Sequence, residues 1–314
     1  MAKRQERITE KENVASRSLD TLSTREILRL VNREDHGVAP AVAKQIPQIT
    51  RAVNLMVGAL KEGGRIVYVG AGTSGRLGVL DAAECIPTFG TTRVIALMAG
   101  APKAMFRPIE GMEDDPRAAT RDLQKHKVTR KDIVVGISAG GDTTYTVAAL
   151  KWARARRART VAVSANPRSA ICRLADVAIA PRVGPEVVAG STRMKAGTAQ
   201  KMILNMLSTA SMVRWGRVLG NRMVHMKLGS EKLLDRGRKI LMRTTGAGTA
   251  AARRALDQSG RSLPVALIML AEGISKGEAE VRLAASSTQQ ILRAAASGGE
   301  KKRRLRRARR VSAS

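Results

Sequence analysis

The segment best suited to chemistry is a glycine-rich turn that follows the first strongly apolar run of the chain. Residues 70–78 read GAGTSGRLG and pass directly into a helical pattern. Such a turn at a helix N-terminus presents free backbone N–H groups and the positive end of the helix dipole, which together bind phosphate. Thr73 and Ser74 add hydroxyl donors, and Arg76 adds a positive charge. We therefore predict a phosphate site that includes these three residues and Gly72.

Two other interpretations of this turn stay open. The dinucleotide-binding pattern G-x-G-x-x-G is present as Gly70, Gly72 and Gly75. That pattern also needs an acidic residue about twenty residues further on. The next apolar run, 93–98, ends in Met98 and is followed by alanine and glycine instead, which disfavours a dinucleotide. The second alternative is a tight turn that binds no ligand.

The turn has to be positioned by the elements around it, and these follow a regular order. Short apolar runs rich in valine and isoleucine alternate with helical patterns; the runs are 65–70, 93–98, 132–137, 159–164 and 176–180. Continuous apolar strands separated by helices are typical of a parallel sheet covered on both faces. The sequence therefore predicts an α/β sandwich with a five-stranded, flavodoxin-like parallel sheet, whose ligand lies beyond the carboxyl ends of the strands.

Helical patterns flank the predicted sheet on both sides. Residues 1–20 are polar and are expected to be irregular. A capping-box pattern at Ser23 starts one helix, and a second helix is expected over 38–61, ended by two glycines. After Gly190 the pattern is helical, with helices predicted at 195–215, at 230–242 and in a compact, UBA-like three-helix unit over 263–297.

These patterns divide the 314-residue chain into four parts. We expect an N-terminal helical segment over 1–54 and a ligand-binding α/β domain over 55–218. A C-terminal helical domain is expected over 219–299, followed by a basic, disordered tail over 300–314.

Composition narrows the possible partners. The formal net charge is +30, and residues 301–310 carry eight of these positive charges, so that the rest of the chain still carries +22. Such a tail is a solvated segment or a non-specific contact for nucleic acid or another anionic surface. Aromatic residues are only 2% of the chain, which argues against stacking on the bases of single-stranded nucleic acid.

The numbers and positions of the cysteine, histidine and apolar residues argue against a disulfide-rich, metal-binding, secreted or membrane-spanning protein. Cys85 and Cys172 are too few for a disulfide framework, and their spacing matches no metal motif. The three histidines do not cluster in the sequence, so neither a metal nor another cofactor is expected. The N-terminus has no apolar signal region and no run is long enough to span a bilayer, which predicts a cytoplasmic protein.

Two long blocks resemble one enzyme family. Residues 70–90 read GAGTSGRLGVLDAAECIPTFG, and residues 183–207 read VGPEVVAGSTRMKAGTAQKMILNML. Both are similar to hallmark blocks of the N-acetylmuramic acid 6-phosphate etherases, and the resemblance extends over residues 9–297. It implies a sugar isomerase (SIS) fold, a homodimer, and a role in peptidoglycan recycling without metal or nucleotide.

The resemblance implies a lyase that cleaves the D-lactyl ether of N-acetylmuramic acid 6-phosphate. The products are N-acetylglucosamine 6-phosphate and D-lactate. By the matching motifs, Glu84 protonates the leaving oxygen and Glu113 removes the proton at C2, so that each carboxyl group has one role. Glu84 is expected in a loop after the glycine-rich turn. A shift in register would replace Glu113 by Glu110.

The family resemblance also indicates a second phosphate loop, and here the chain departs from the family pattern. Ser138, Gly141 and Thr143 match the loop, whereas Gly140 stands in place of a serine and Asp142 in place of an arginine. The loss of a hydroxyl donor costs about 1–3 kcal/mol, and a carboxylate near a phosphate adds repulsion.

The second hallmark block contributes further candidate ligands. Glu186 is either a helix-start residue or a sugar contact, and Ser191 and Lys195 are candidate substrate contacts. Arg193 and Lys195 supply positive charge either to the ligand or to a dimer contact.

Three hypotheses about the function follow from these residues. The first is the etherase. The departures at 140 and 142, together with His225 and Ser230, motivate a second reading, in which the protein is a noncatalytic phosphosugar-binding regulator or acts on another phosphosugar. The third is a nucleic-acid-binding protein, suggested by charge alone.

Overall fold

The parallel sheet expected from the five apolar runs is present. The computed structural model describes residues 7–295. Five parallel strands pair in the order β2-β1-β3-β4-β5, and they are β1 (Ile66–Gly70), β2 (Val94–Met98), β3 (Ile133–Ile137), β4 (Arg159–Val163) and β5 (Val177–Ile179). This order is the flavodoxin-like one, in which the chain reverses direction between β1 and β3. The predicted fold class is therefore confirmed, with strand ends within about one residue of the predicted runs.

Helices cover the sheet and flank it. In chain order they are α1 (Thr24–Asp35), α2 (Val38–Ala43), α3 (Ile46–Lys61), α4 (Gly72–Phe89), α5 (Pro116–Lys125), α6 (Thr144–Ala155), α7 (Ala170–Leu174) and α8 (Lys195–Arg214). The core contains Val67 and Val134 from the strands with Leu123 and Leu150 from α5 and α6. Both faces of the sheet are apolar because the parallel strands are buried on both sides.

The helices before the sheet confirm one prediction and correct two. Ser23 caps α1, and Ser23 and Glu26 form the expected capping box. The single helix expected over 38–61 is instead two helices, because the chain turns at Lys44 and Gln45 and a new helix starts with Pro47 in its first turn. The segment expected to be irregular contains three short 3₁₀ turns between residues 8 and 21.

The chain divides into two units. Of the described residues, the first contains 7–84 and 92–211, with the sheet, and the second contains 85–91 and 212–295. In the second unit a short hairpin, β6 (Val218–Leu219) with β7 (Arg222–Met223), precedes helices α9 (Glu231–Thr245), α10 (Thr249–Gln258), α11 (Leu263–Glu272) and α12 (Lys276–Ala285). A further helical segment covers 288–295. The hairpin and α10 were not predicted.

The helices expected over 195–215, 230–242 and 263–297 are present with small shifts at their ends. The predicted tail over 300–314 lies outside the described residues. None of the helices within 7–295 is long and apolar enough to cross a membrane.

A half-buried histidine, His225, lies in the second unit at one of the positions where the chain departs from the family pattern. The imidazole of His225 is 3.2 Å from Arg217 Nη1 through Nδ1 and 3.2 Å from Thr288 Oγ1 through Nε2. Burial, reinforced by the Arg217 guanidinium, lowers the pKa of His225 to about 4. The imidazole is therefore neutral in the folded protein at neutral pH.

This environment predicts a loss of stability in mild acid. At pH values between the ordinary histidine pKa of about 6.5 and the lowered value, the unfolded chain binds a proton at this histidine and the folded chain does not. We expect the free energy of unfolding to fall by about 2 kcal/mol from pH 7 to pH 5. Urea denaturation of the wild type and His225→Gln at both pH values checks this, with the exposed His126→Gln as control. Equal losses in all three proteins would contradict the assignment.

Candidate functional site

Two loops meet at the point where the sheet reverses its order. Gly70 at the end of β1 lies in register with Ile137 at the end of β3, so the glycine-rich turn and the 138–143 loop leave neighbouring strands at the same edge. A crevice at this switch point is where open α/β sheets bind ligands. The structure therefore brings together the two predicted phosphate loops.

The glycine-rich turn is built so that backbone N–H groups are free at its end. Helix α4 begins at Gly72, which has a φ of 52°, and the N–H of Gly75 makes the first helical hydrogen bond, 3.0 Å to Ala71 O. The N–H groups ahead of Gly75 have no partner inside the helix. A Cβ on Gly75 would lie 2.8 Å from Gly70 O, so glycine allows the helix to approach the strand this closely.

The start of α8 packs against this turn. Ser74 Oγ donates to Gln200 Oε1 over 3.0 Å, and a Cβ on Gly197 would lie 3.6 Å from Thr73 Cγ2. The side chain of Gln200 is buried, and its Nε2 has no hydrogen-bond partner among the described residues. The two hallmark blocks therefore converge, and Gln200 is an additional candidate ligand that sequence reasoning missed.

The second loop is held closed by its own hydroxyl groups. Ser138 Oγ is 2.9 Å from Thr143 Oγ1 and accepts the N–H of Gly141 over 3.0 Å. Gly141 has a φ of 78°, and a Cβ there would lie 2.2 Å from Ser169 Oγ, so only glycine fits. Ser138, Gly141 and Thr143 thus form a compact turn at the start of α6.

Asp142 stands in this loop where the family pattern has an arginine, and its negative charge is offset by neighbouring groups. Its Oδ1 accepts the N–H of Ala170 at the start of α7 over 2.8 Å, and its Oδ2 is 2.9 Å from Arg7 Nε. The carboxylate is therefore bound to a helix N-terminus and to an arginine from the N-terminal segment, both of which offset its negative charge. The repulsion of phosphate expected at this position is reduced accordingly.

Glu113 lies in a cavity on the other side of the glycine-rich turn. This cavity has a volume of about 380 Å³, and its lining includes Gly72, Arg76, Glu110 and Glu113. Arg76 donates to the carbonyl oxygens of the loop after β2, 2.7 Å to residue 104 and 3.0 Å to residue 105. The arginine thus fixes the segment that leads to Glu113 and contacts the same cavity.

Glu84 is in helix α4 rather than in the loop predicted for it. The helix continues to Phe89 through Pro87, because a proline in the last turn removes only one backbone hydrogen bond. Glu84 is exposed and lines a cavity of about 120 Å³ with Lys201 and Asn205 of α8. Twelve residues of helix separate it from Gly72, a distance of about 18 Å. The two predicted catalytic carboxylates therefore line different cavities of one chain.

A half-buried aspartate lies close to Glu84 on the same helix. Asp81 lies one turn earlier on α4 and lines the same cavity. Its carboxylate accepts hydrogen bonds from Tyr68 OH over 2.9 Å and from Ser208 Oγ over 3.0 Å. Burial raises the pKa of Asp81 despite both bonds. Sequence reasoning missed this residue, since an aspartate in a helix carries no signal of burial.

Glu186 and Lys195 form a buried polar cluster at the start of α8. The carboxylate of Glu186 accepts the N–H groups of Lys195 and Ala196, each over 2.9 Å, and so caps the helix. Burial is the largest influence on Glu186 and raises its pKa. Lys195 Nζ is 2.6 Å from Glu34 Oε2, and only 4% of its side chain is exposed. The helix-start interpretation of Glu186 thus agrees with its geometry.

The remaining predicted site residues, Ser191 and Arg193, lie just before the start of α8. Ser191 is half-buried in the turn before α8, and its N–H donates to Val188 O over 3.0 Å. Arg193 is exposed. Across residues 7–295, no three His, Cys, Asp or Glu side chains are arranged to hold a metal ion.

Comparison with known proteins agrees with this architecture. A family model described as the glucokinase regulatory protein N-terminal SIS domain matches residues 48–154, and the SIS domain model matches residues 103–210.

Curated relatives match over most of their length. An N-acetylmuramic acid 6-phosphate etherase of Edwardsiella ictaluri is 50% identical over 88% of this chain and 93% of its own. The etherase of Pectobacterium atrosepticum is 48% identical over 88% and 92%, respectively. The etherase of Geobacillus thermodenitrificans is 47% identical over 88% and 94%.

Proposed function

The chain belongs to the N-acetylmuramic acid 6-phosphate etherase family, and from this membership we propose that it cleaves the D-lactyl ether of N-acetylmuramic acid 6-phosphate. The observation that carries the proposal is the meeting of two phosphate-type loops at neighbouring strand ends, beside the cavity that holds Glu113. We further propose that the reaction takes place in the cytoplasm and serves the recycling of cell-wall sugars.

The phosphate would be bound by the two loops together. In this proposal the N–H groups of the first turn of α4 and the hydroxyl of Thr73 would contact it from the end of β1, and the hydroxyls of Ser138 and Thr143 would contact it from the end of β3. The Nε2 of Gln200 is a buried donor beside the same turn. A buried donor without a protein partner is costly, and a phosphate oxygen is an acceptor that would satisfy it.

The reaction requires two carboxyl groups, one that removes a proton from the sugar and one that donates a proton to the leaving group. In the open-chain sugar, the C1 aldehyde acidifies the C2 proton, and the lactyl ether oxygen is on C3. Glu113 as carboxylate takes the C2 proton, the C2–C3 double bond forms, and the C3–O bond breaks as Glu84 delivers a proton to the leaving lactate oxygen. Water then adds to C3, the proton returns to C2, and N-acetylglucosamine 6-phosphate is formed.

The separation of the carboxylates supports a homodimer with shared sites. Glu84 is about 18 Å along α4 from Gly72, which lines the Glu113 cavity, and Glu84 itself lines a different cavity. We infer that one chain does not bring both carboxylates to one sugar ring. We propose that Glu84 of a second copy of the chain completes the cavity that holds Glu113.

The first test is the release of D-lactate from N-acetylmuramic acid 6-phosphate by the purified full-length protein. We expect stoichiometric D-lactate and N-acetylglucosamine 6-phosphate. A substrate that raises the melting temperature without being cleaved would show a noncatalytic binder instead, and release from a different phosphosugar alone would show a different enzyme.

Mixing inactive variants tests the shared site. Glu84→Gln and Glu113→Gln proteins, unfolded and refolded together at equal concentrations, form mixed dimers in which one of two sites has both carboxylates. We expect recovery of about a quarter of the wild-type activity if subunits pair at random. Each variant refolded alone is the control. No recovery in the mixture, although mixed dimers are isolated by tag, would place both acting groups in one chain.

A further inference from the structure

Another cavity of the first unit is larger than the one that holds Glu113. It is an open cleft of about 800 Å³ at the carboxyl edge of the sheet. Its walls come from the N-terminal segment, the loop after β3, the loop after β4, helix α7 and the segment after β5. It borders the 138–143 loop at Asp142, but it shares no lining residue with the Glu113 cavity or with the Glu84 cavity.

The cleft is strongly basic. Five cationic side chains line it, against only two carboxylates, and the cations are Arg7, Lys11, Arg168, Arg173 and Arg182. The ion pair between Arg7 and Asp142 uses one member of each set. Glu10 is the other lining carboxylate, so that an excess of three positive charges surrounds the cleft.

Two of these cations are unpaired among the described residues, whereas Arg7 and Arg173 are bound to neighbouring groups. Within residues 7–295, the side chains of Lys11 and Arg182 make no hydrogen bond or ion pair. Arg173 donates to the carbonyl oxygen of Arg168, and this links α7 to the loop after β4. Cations gathered from separate segments around a concave space repel one another, so an anion that enters lowers the electrostatic energy.

We propose that this cleft is a second anion site, distinct from the substrate site, which binds a small molecule that carries two adjacent phosphate groups. The volume is far larger than a single phosphate needs and lies within the range of small-molecule sites. A diphosphate carries about three negative charges at neutral pH, which matches the excess of cations. Binding there joins the N-terminal segment to the loops after three strands, so it stabilises the first unit.

The proposal goes beyond the etherase function and is tested separately from it. The full-length protein is titrated with inorganic pyrophosphate and with inorganic phosphate by calorimetry at 0.15 M salt, where weak surface contacts are screened. We expect pyrophosphate to bind at least about tenfold more tightly, since two groups contact the cations at once. Pyrophosphate binding should persist in saturating N-acetylglucosamine 6-phosphate, and competition between the two would place the pyrophosphate in the substrate site and overturn the proposal.

Matched variants locate the binding. Lys11→Ala/Arg182→Ala removes the two unpaired cations, and we expect the Kd for pyrophosphate to rise at least about tenfold. Arg29→Ala/Lys44→Ala removes two exposed cations that do not line the cleft, and its Kd should stay at the wild-type value. Equal weakening by both pairs, or by neither, would assign the binding to overall charge or to the basic tail and contradict the site.

Discussion

Glu84→Gln and Glu113→Gln are each expected to lower kcat for D-lactate release by about 10²–10⁴-fold, because glutamine can neither give nor take a proton at these positions. Glutamine keeps the shape of the side chain and can keep its hydrogen bonds. The phosphate loops are untouched, so KM and the melting temperature should change little. The expected split between kcat and KM separates a chemical role from a structural one.

Two control variants sharpen this experiment. Glu62 is exposed at the end of α3, before β1, and so lies at the amino edge of the sheet, away from the loops. Glu62→Gln should therefore keep wild-type turnover. Glu110→Gln distinguishes the two registers of the second carboxylate, since Glu110 and Glu113 line one cavity. A large loss for Glu110→Gln with a small one for Glu113→Gln would move the base to residue 110.

The second large effect concerns stability. Lys195→Met is expected to lower the free energy of unfolding by about 2 kcal/mol, because it leaves the half-buried carboxylate of Glu34 without its cation. That bond to Lys195 is also the main reason why the pKa of Glu34 lies below its ordinary value. The cluster holds the start of α8, which packs against the phosphate turn.

A double-mutant cycle checks this assignment. Glu34→Leu/Lys195→Met removes both charges, and we expect it to recover most of the lost stability. Lys201→Met is the matched control on the same helix, since Lys201 is exposed and its Nζ donates to Asn205 Oδ1 over 3.0 Å at the surface. Its effect should stay within about 0.5 kcal/mol. If Lys195→Met is as mild as this control, the buried pair does not stabilise the fold.

Local patterns were enough to predict most of the elements. Each predicted strand was a short apolar run that began with an arginine or an aspartate. Burial on both faces requires an apolar composition in a central parallel strand. Ser23 and Glu26 specified the start of α1 through contacts within four residues. The break between α2 and α3 was missed, because the helical period continues across Lys44 and Gln45 and only the proline marks the new start.

The sequence by itself determined the strand runs, the glycine-rich turn and the family, because these depend on neighbouring residues or on long matching blocks. The tertiary structure decided the partners of each charge. Asp142 pairs with Arg7 and Lys195 with Glu34, across 135 and 161 residues, and no local pattern contains such pairs. It also decided that Glu84 and Glu113 lie in separate cavities, because a continuous helix carries one carboxylate away from the turn at a fixed rise per residue.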